Sequence, residues 1–273
     1  MKSAVEIADA RSERWGHQLY AGRARAIIER ASIALRSSTW VPIATGFVEP
    51  VLYLLAFGYG MGQLIGDITV GSNVISYTVF IAPGLLATSA MNGAIYDSTW
   101  NVFFKLNESK LYQGILATPM GPLDIALGEI IWALIRGLSY AVAFMAIAAP
   151  LGLVPGWSAL LAIPASVLIA FGFASFGMAI TSYFKDFHQM GLINIVLLPM
   201  FLFSGSLYPI SVYPDWLESI IRLLPTWHGI EFVRDIWFNV MDFSTLSHLS
   251  YFLVMIFIGL FFTTRRLRDL FMR

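Results

Sequence analysis

Long apolar stretches separated by short polar segments dominate the pattern along this chain. A helix needs about 20 mostly apolar residues to cross the hydrocarbon core of a bilayer. Helices of this kind are predicted at about residues 40–57, 75–96, 125–149, 157–183, 190–207 and 249–264. The pattern therefore predicts an all-α integral membrane protein whose six transmembrane helices lie in one domain, residues 39–264.

The first 38 residues are polar and contain several arginines. Four apolar side chains there share one helical face: Ile27, Ile28, Ala31 and Leu35. The opposite face is polar and carries Arg23, Arg30 and Ser37. Residues 1–38 are therefore predicted to contain an amphipathic helix lying along the membrane surface. A soluble tail with a short helix is the alternative.

A polar segment, "NESKLYQGILATPMGPLD", separates the second and third predicted spans. We name residues 107–124 the coupling segment. A short helix is predicted over residues 109–117, and Thr118-Pro119 should end it, because a residue before proline is disfavoured in the helical region. Gly121-Pro122 then reverses the chain, and Asp124 can cap the third span.

This short helix carries an apolar stripe formed by Leu111, Tyr112, Ile115 and Leu116. Such a stripe suits insertion into a groove on a soluble partner. A helix that packs only on its own bundle explains the pattern equally well.

About forty residues between the fifth and sixth spans are too apolar for an ordinary loop, with two runs of helical periodicity broken at Pro225. Each run is too short to cross a bilayer. Two re-entrant helices packed against protein are predicted, because irregular backbone at membrane depth must be covered by protein.

Composition supports a membrane protein: 58% of the residues are hydrophobic and 12% are charged, against roughly 25% charged in soluble domains. The net charge of zero gives no overall field to attract nucleic acid. Lysines and arginines concentrate before the first span, in the loop after the second span at Lys105 and Lys110, after the fourth span and in residues 265–273. Because positive residues near span ends stay in the cytoplasm, both termini are predicted to be cytoplasmic, in the cell's cytoplasmic membrane.

Three charged residues fall within predicted spans, where ionised groups are costly: Glu49, Glu129 and Arg136. Glu129 and Arg136 lie about 10 Å apart along a helix, which is too far for a direct pair. Glu129 could reach the cytoplasmic interface or act in coupling or cargo entry. Arg136 could meet an anionic cargo group or a partner within the protein.

Aromatic side chains in the spans could line a path for sugar rings or flat drugs, although packing and lipid contact explain most of them. Together with the three charged residues, the path or gating candidates are Tyr77, Phe80, Phe201 and Phe203.

Three stretches carry a family resemblance: "FIAPGLLATSAMNGAIYDST" from Phe80, "YQGILATPMGPLDIALGEIIWALIRG" from Tyr112, and "FLFSGSLYPISVYPDWLESIIRLLPTWHGIEFVRDIW" from Phe201. They resemble the permease subunits of ABC-2 type exporters, most closely the branch that exports lipo-oligosaccharides, polysaccharides and daunorubicin-type drugs. The six-span layout agrees over nearly the whole chain.

The resemblance implies that the coupling segment contains a coupling helix seated in a cleft of an ATP-hydrolysing subunit, with residues 21–38 as an interface helix. It implies an assembly of two such ATPase subunits with two permeases, the second being an identical or a homologous chain, embedded in lipid. The residues predicted to couple to the ATPase are Ser109, Leu111, Tyr112, Gln113, Ile115, Leu116, Thr118 and Pro119.

No nucleotide site of the P-loop type is present in this sequence. Such a loop needs a lysine that follows a glycine, and none of the four lysines, Lys2, Lys105, Lys110 and Lys185, does so. ATP and Mg²⁺ are therefore expected on the partner, and this chain is expected to be neither an enzyme nor the holder of a cofactor. The chain has no cysteine, and its histidines lack metal-ligand spacing.

The cargo predicted from the resemblance is an amphipathic molecule, a lipid-linked saccharide or glycolipid, with drug or antibiotic efflux as the alternative. A remote alternative is an intramembrane serine hydrolase built on Ser204-Gly205-Ser206 and His228, because that chemistry needs a serine beside a general base.

Overall fold

The computed structural model describes residues 22–37, 48, 51–70 and 73–271. Within these ranges four helices are long and apolar enough to cross a membrane: Tyr77–Glu108, Pro122–Ala148, Trp157–Thr181 and Phe243–Leu270. Two shorter apolar helices, Val51–Ile65 and Phe187–Leu202, accompany them. The prediction of a helical membrane protein is confirmed.

The helices are numbered here in chain order. They are α1 (Ala24–Ser37), α2 (Val51–Ile65), α3 (Tyr77–Glu108), α4 (Leu111–Leu116), α5 (Pro122–Ala148), α6 (Ala162–Thr181), α7 (Gly191–Leu202), α8 (Asp215–Ile221), α9 (Pro225–Trp237) and α10 (Phe243–Phe271). Short 3₁₀ turns precede α6, α7 and α8, at Trp157–Leu161, Phe187–Met190 and Ile210–Val212. Wide π turns interrupt α2 at Leu54–Met61 and α3 at Asp97–Asn101 and Phe104–Glu108.

A short β-hairpin, which the sequence analysis did not predict, accompanies the helices of this all-α membrane protein in the described residues. Strands β1 (Asp67–Val70) and β2 (Asn73–Ser76) pair antiparallel between α2 and α3, with Ile68 opposite Ile75. Both strands contain several β-branched residues, which favour extended backbone. Ser76 then caps α3, since its side chain accepts a hydrogen bond from the Val79 N–H.

Several helices run further than the predicted spans. The second span was predicted to end at Tyr96, yet α3 continues to Glu108. The sixth was predicted as 249–264, and α10 covers Phe243–Phe271. The fifth is shorter than predicted, because α7 ends at Leu202. Of the predicted first span, residues 40–47, 49 and 50 lie outside the described part, and the described helix α2 extends to Ile65.

Helix α3 continues past Tyr96 because its polar residues find partners inside the bundle. Thr99 donates its hydroxyl to the carbonyl of Ile95, and Asp97 pairs with Arg136 of α5, while the chain remains helical as far as Glu108. Buried polar groups are tolerated when they are paired in this way. The polar run that suggested a span end is therefore buried within the protein.

Helix α3 lies at the centre of the bundle and packs against α5 and α6. In its most apolar stretch of 18 residues, 83% are buried. One core cluster includes Phe80, Phe144 and Trp237, and a second includes Tyr112 and Ile125. Helices α6 and α10 pack closely: a Cβ on Gly259 would lie 2.5 Å from the carbonyl carbon of Ser175. Small residues at such crossings let helix backbones approach in a membrane.

Two short helices, α8 and α9, occupy the segment between α7 and α10 where the apolar pattern predicted them. Pro225 is the first residue of α9, where a proline is favoured because its missing N–H would have no helical partner. Helix α9 buries Ile230, Val233 and Trp237 against the bundle. Helix α9 is therefore part of the packed core, whereas α8 buries only Ile221.

Candidate functional site

The coupling segment forms a short, sharply bounded helix at one end of the bundle, which we call the coupling end. Lys110 adopts a left-handed backbone conformation, with φ 50°, and turns the chain out of α3 into α4. Helix α4 covers Leu111–Leu116, a shorter range than the predicted 109–117. The Met120 N–H then bonds to the Thr118 carbonyl across Pro119, and Pro122 begins α5.

The apolar stripe of α4 faces its own bundle. Tyr112 is fully buried, and Leu111, Ile115 and Leu116 are half-buried, the last two against the core cluster around Tyr112. The exposed residues of the coupling segment are polar or small: Glu108, Ser109, Lys110, Gln113, Gly114, Ala117, Thr118 and Pro119. In this single chain the stripe anchors α4, and the opposite face is the one open to a partner.

A buried ion cluster lies beneath α4. The Glu129 carboxylate is 4% exposed, and its Oε2 accepts a hydrogen bond from the Lys105 Nζ at 2.5 Å. Arg30 of α1 approaches its Oε1 at 3.7 Å. The hydroxyl of Tyr112 is buried beside this carboxylate; burial first, and then the charge of Glu129, raise the pKa of the phenol well above its usual value. Glu129 therefore joins α1, α3, α4 and α5.

Helix α1 is fastened to α5 at two further points. The backbone N–H of Arg23 donates to Oδ1 of Asp124 at 2.7 Å, while Oδ2 of Asp124 accepts from the Gly121 N–H at 2.8 Å. The predicted capping role of Asp124 is thus confirmed. Gly128 lets α1 approach α5, because a Cβ there would lie 2.6 Å from the Cβ of Ile27. The coupling end is a unit of α1, α4 and the start of α5.

A second buried pair lies further inside the bundle. Nε of Arg136 lies 2.7 Å from Oδ2 of Asp97, whose side chain is 2% exposed. The Asn101 amide donates to the other oxygen of Asp97 at 3.3 Å. The sequence left two roles open for Arg136, contact with an anionic cargo group or with a partner within the protein. The structure shows a partner within the protein, Asp97. Asp97 and Lys105 were missed as partners because both lie beyond the predicted end of the second span.

Two of the four aromatic candidates are buried, Phe201 is half-buried and Phe203 is exposed. Tyr77 and Phe80 are core residues, 2% and 1% exposed, and the Arg234 guanidinium lies 4.4 Å from the Phe80 ring centroid. Phe201 stacks with Tyr53, and Phe203 contacts Tyr213. Glu49 lies outside the described residues. None of the described candidates lines the large cavity of the bundle, which lies between α3, α6, α7 and α10.

The opposite end of the bundle carries a histidine pair on α9 and α10. Nδ1 of His228 lies 2.7 Å from Nδ1 of His248, and the His228 ring stacks on Tyr251 at 4.1 Å. Burial, followed by the influence of His248, lowers the pKa of His228 from 6.5 to about 4. The imidazole of His228 is therefore neutral near pH 7.

The serine hydrolase alternative finds no support in the contacts of these residues. Ser204 donates its hydroxyl to the Phe201 carbonyl, and the Ser206 hydroxyl is buried without a hydrogen-bond partner among the described residues. The nitrogen of His228 that contacts another side chain meets His248. A nucleophile needs its general base within hydrogen-bond reach, which this arrangement does not provide.

Comparisons with known proteins agree with the sequence resemblance. A family model described as "ABC-2 type transporter" matches residues 24–238. The chain is 30% identical to Nodulation protein J of Sinorhizobium fredii (strain NBRC 101917 / NGR234), over 82% of this chain and 85% of that protein. It is 29% identical to Nodulation protein J of Rhizobium leguminosarum bv. trifolii, over 89% and 92%.

A third relative carries a transport name. The chain is 25% identical to the "Inner membrane transport permease YadH" of Escherichia coli (strain K12), over 77% of this chain and 80% of that protein. The family match covers α1, the coupling segment and the segment of α8 and α9. This chain therefore belongs to the ABC-2 type transporter family, as a membrane-embedded permease that is not itself the ATPase.

Proposed function

We propose that this chain is one permease half of an ATP-driven exporter, and that the exposed face of α4 is where an ATPase subunit docks. The observation that carries this proposal is the construction of the coupling end. A short helix with an exposed polar face is held on a buried ion cluster that also fixes α1 and α5. A force applied to α4 is therefore passed to a transmembrane helix through Tyr112 and Glu129.

The proposed assembly contains two permeases and two ATPase subunits that bind ATP and Mg²⁺. In each permease, α2 and the helix ending at Leu202 complete six spans with the four longer helices, while α8 and α9 lie at the outer leaflet. The predicted cytoplasmic location of both termini fits the concentration of lysine and arginine at the coupling end and in residues 265–273. Closure of the ATPase pair would move the bundles as rigid bodies.

The proposed cargo is a lipid-linked saccharide or glycolipid. Support comes from the resemblance to the lipo-oligosaccharide branch of the family and from the similarity to the two Nodulation J proteins over most of both chains. Hydrophobic drugs form the competing cargo class, because the same branch includes drug exporters.

Reconstitution tests this proposal. The chain and its ATPase are placed in vesicles, and ATP hydrolysis is measured with lipid-linked saccharides and with a panel of hydrophobic drugs. Saccharide-dependent stimulation together with ATP-dependent transport is expected. Stimulation by the drugs alone would contradict the cargo assignment, and transport that needs no ATPase would contradict the exporter.

A variant on the exposed face adds a control for coupling. Ala117→Arg places a bulky charge on the face of α4 that is open to a partner and should abolish cargo-stimulated hydrolysis. Ser211→Arg, at an exposed position between α7 and α8, should leave it unchanged.

A further inference from the structure

Helix α7 lies beside a cavity of the bundle. No residue of α7 is fully buried, in contrast to the long helices α3, α5 and α6. Between α7 and its neighbours α3, α6 and α10 lies a cavity of about 750 Å³. That volume is within the range of sites for small molecules, roughly 300–1,000 Å³.

The wall of this cavity is apolar along most of its length. Its middle is formed by residues such as Phe176, Val196 and Met255, and the end nearer the coupling segment by Ile180, Leu192 and Ile258. The one hydroxyl toward that end belongs to Thr99 and is donated to the Ile95 carbonyl. A water molecule would find few hydrogen-bond partners along this wall, and a buried water needs such partners.

Hydroxyl groups collect at the opposite end of the cavity, where Ser247, Ser250 and Tyr251 face it beside Pro225. Tyr251 donates to the Leu223 carbonyl at 3.1 Å, and the two serines donate to carbonyls one turn earlier in α10. Their oxygens keep lone pairs that can accept hydrogen bonds. The cavity therefore has one polar end and a long apolar body.

We propose that one acyl chain of a bilayer phospholipid occupies this cavity, with its glycerol and headgroup at the Ser247–Tyr251 end and its methyl end toward Ile180. The four long helices around and beside the cavity place it at bilayer depth, where hydrocarbon chains are the abundant apolar molecules. The polarity of the wall matches that of a lipid along its length.

The cavity is open along one side. Its wall residues Leu192, Val196 and Ile258 are 54%, 56% and 40% exposed. The face of α7 that points away from the cavity carries Ile195, Leu198 and Leu202, which are 68%, 61% and 43% exposed. All the lining residues belong to one chain, so a lipid acyl chain can enter from the bilayer and lie against a single permease.

Photoreactive lipids test this site. The full chain is placed in nanodiscs of phosphatidylethanolamine and phosphatidylglycerol that contain phosphatidylglycerol with a diazirine near the methyl end of one acyl chain. After irradiation, label is expected on cavity-facing residues around Ile180, Leu192 and Ile258. A diazirine next to the headgroup should instead label residues around Ser250 and Met200.

A matched pair of variants separates the cavity from general lipid contact. Val196→Trp fills the cavity and should lower the labelling around Ile180 and Ile258 several-fold, whereas Ile195→Trp on the outward face should leave it unchanged. Unaltered labelling in a well-folded Val196→Trp protein would overturn the proposal. Label confined to Ile195 and Leu198 in the unmodified chain, or a reversed order of the two probes, would overturn it without any variant.

Discussion

Glu129 is an acidic residue of a membrane helix that keeps its partners inside the protein. Its carboxylate is almost fully buried and contacts Lys105, whose side chain is 12% exposed. Taking both charges out of water is costly, and their attraction offsets that cost only while both are present. The pair therefore fixes the relative position of α3 and α5 more than it adds to net stability.

Breaking this pair should be expensive. Glu129→Gln leaves the Lys105 ammonium buried without a counter-charge, so we expect a loss of unfolding free energy on the order of 3 kcal/mol. Lys105→Met should cost a similar amount, and the double variant should regain much of the loss. Denaturant unfolding in detergent measures all three; additive effects of the two single changes would contradict direct pairing.

His228 predicts a pH dependence at the other end of the bundle. Its pKa is lowered from 6.5 to about 4 by burial and by His248, so between these values the unfolded state binds more protons. Stability should therefore fall as the pH decreases from about 6.5 to about 4. His228→Phe, which keeps a ring on Tyr251, should lose less stability than the wild type over this interval.

The exposed His188 provides the control. His188→Phe should retain the wild-type dependence of thermal stability on pH. If His228→Phe and the wild type lose the same stability on acidification, the histidine pair is not the source of the effect.

Sequence reasoning identified Glu129 and Arg136 as unusual, because charges inside apolar stretches are conspicuous. It missed their partners because charged residues in a polar run are not conspicuous. Lys105 and Asp97 lie in a polar run that resembles a loop, and only the tertiary structure shows that this run continues α3 into the bundle. The sequence pattern showed which charged residues lie inside apolar stretches. The identity of the residue that pairs with each of them depends on how the helices pack.

At the scale of elements, Gly128 determines how α1 sits on α5. A methyl group there would lie 2.6 Å from Ile27, closer than carbon atoms can approach. We expect Gly128→Ala to displace α1 and to cost about 1–3 kcal/mol, as overpacking does, despite the better helix propensity of alanine. Faster hydrogen exchange in α1 would report the displacement.

The matched control is Gly191→Ala at the start of α7, where an added Cβ meets nothing within 4 Å. That variant should leave exchange in α1 unchanged. Equal exchange rates in the wild type and Gly128→Ala would show that α1 is not held by this contact.

The β-hairpin was predictable in principle and shows how a dominant pattern can hide a local one. The run "DITVGSNVIS" has two β-branched segments separated by Gly71-Ser72, a typical hairpin signal. The predicted spans at about residues 40–57 and 75–96 left this run as a connection between helices, with no strand assigned to it. Helices α8 and α9, in contrast, were predicted well, because helical periodicity and Pro225 define them locally.

At the scale of the whole molecule, two helices of the chain have exposed apolar faces. The outward face of α7 and the exposed side of α5, including Ile131, Ile135 and Val142, are apolar. In a membrane protein such faces contact lipid or another permease. The family, the helical class and the position of the coupling segment were accessible from sequence, whereas the cavity beside α7 was not, because it depends on how the helices are spaced.

The central claim is that the exposed face of α4 contacts an ATPase subunit, and site-specific crosslinking tests it most directly. A photoreactive amino acid is introduced at Gln113 or at Ala117 in the assembled complex, with Trp216 of α8 as the control position. The account predicts crosslinks to the ATPase from both α4 positions and none from Trp216. Crosslinks from Gln113 and Ala117 only to lipid or to the permease itself would contradict it.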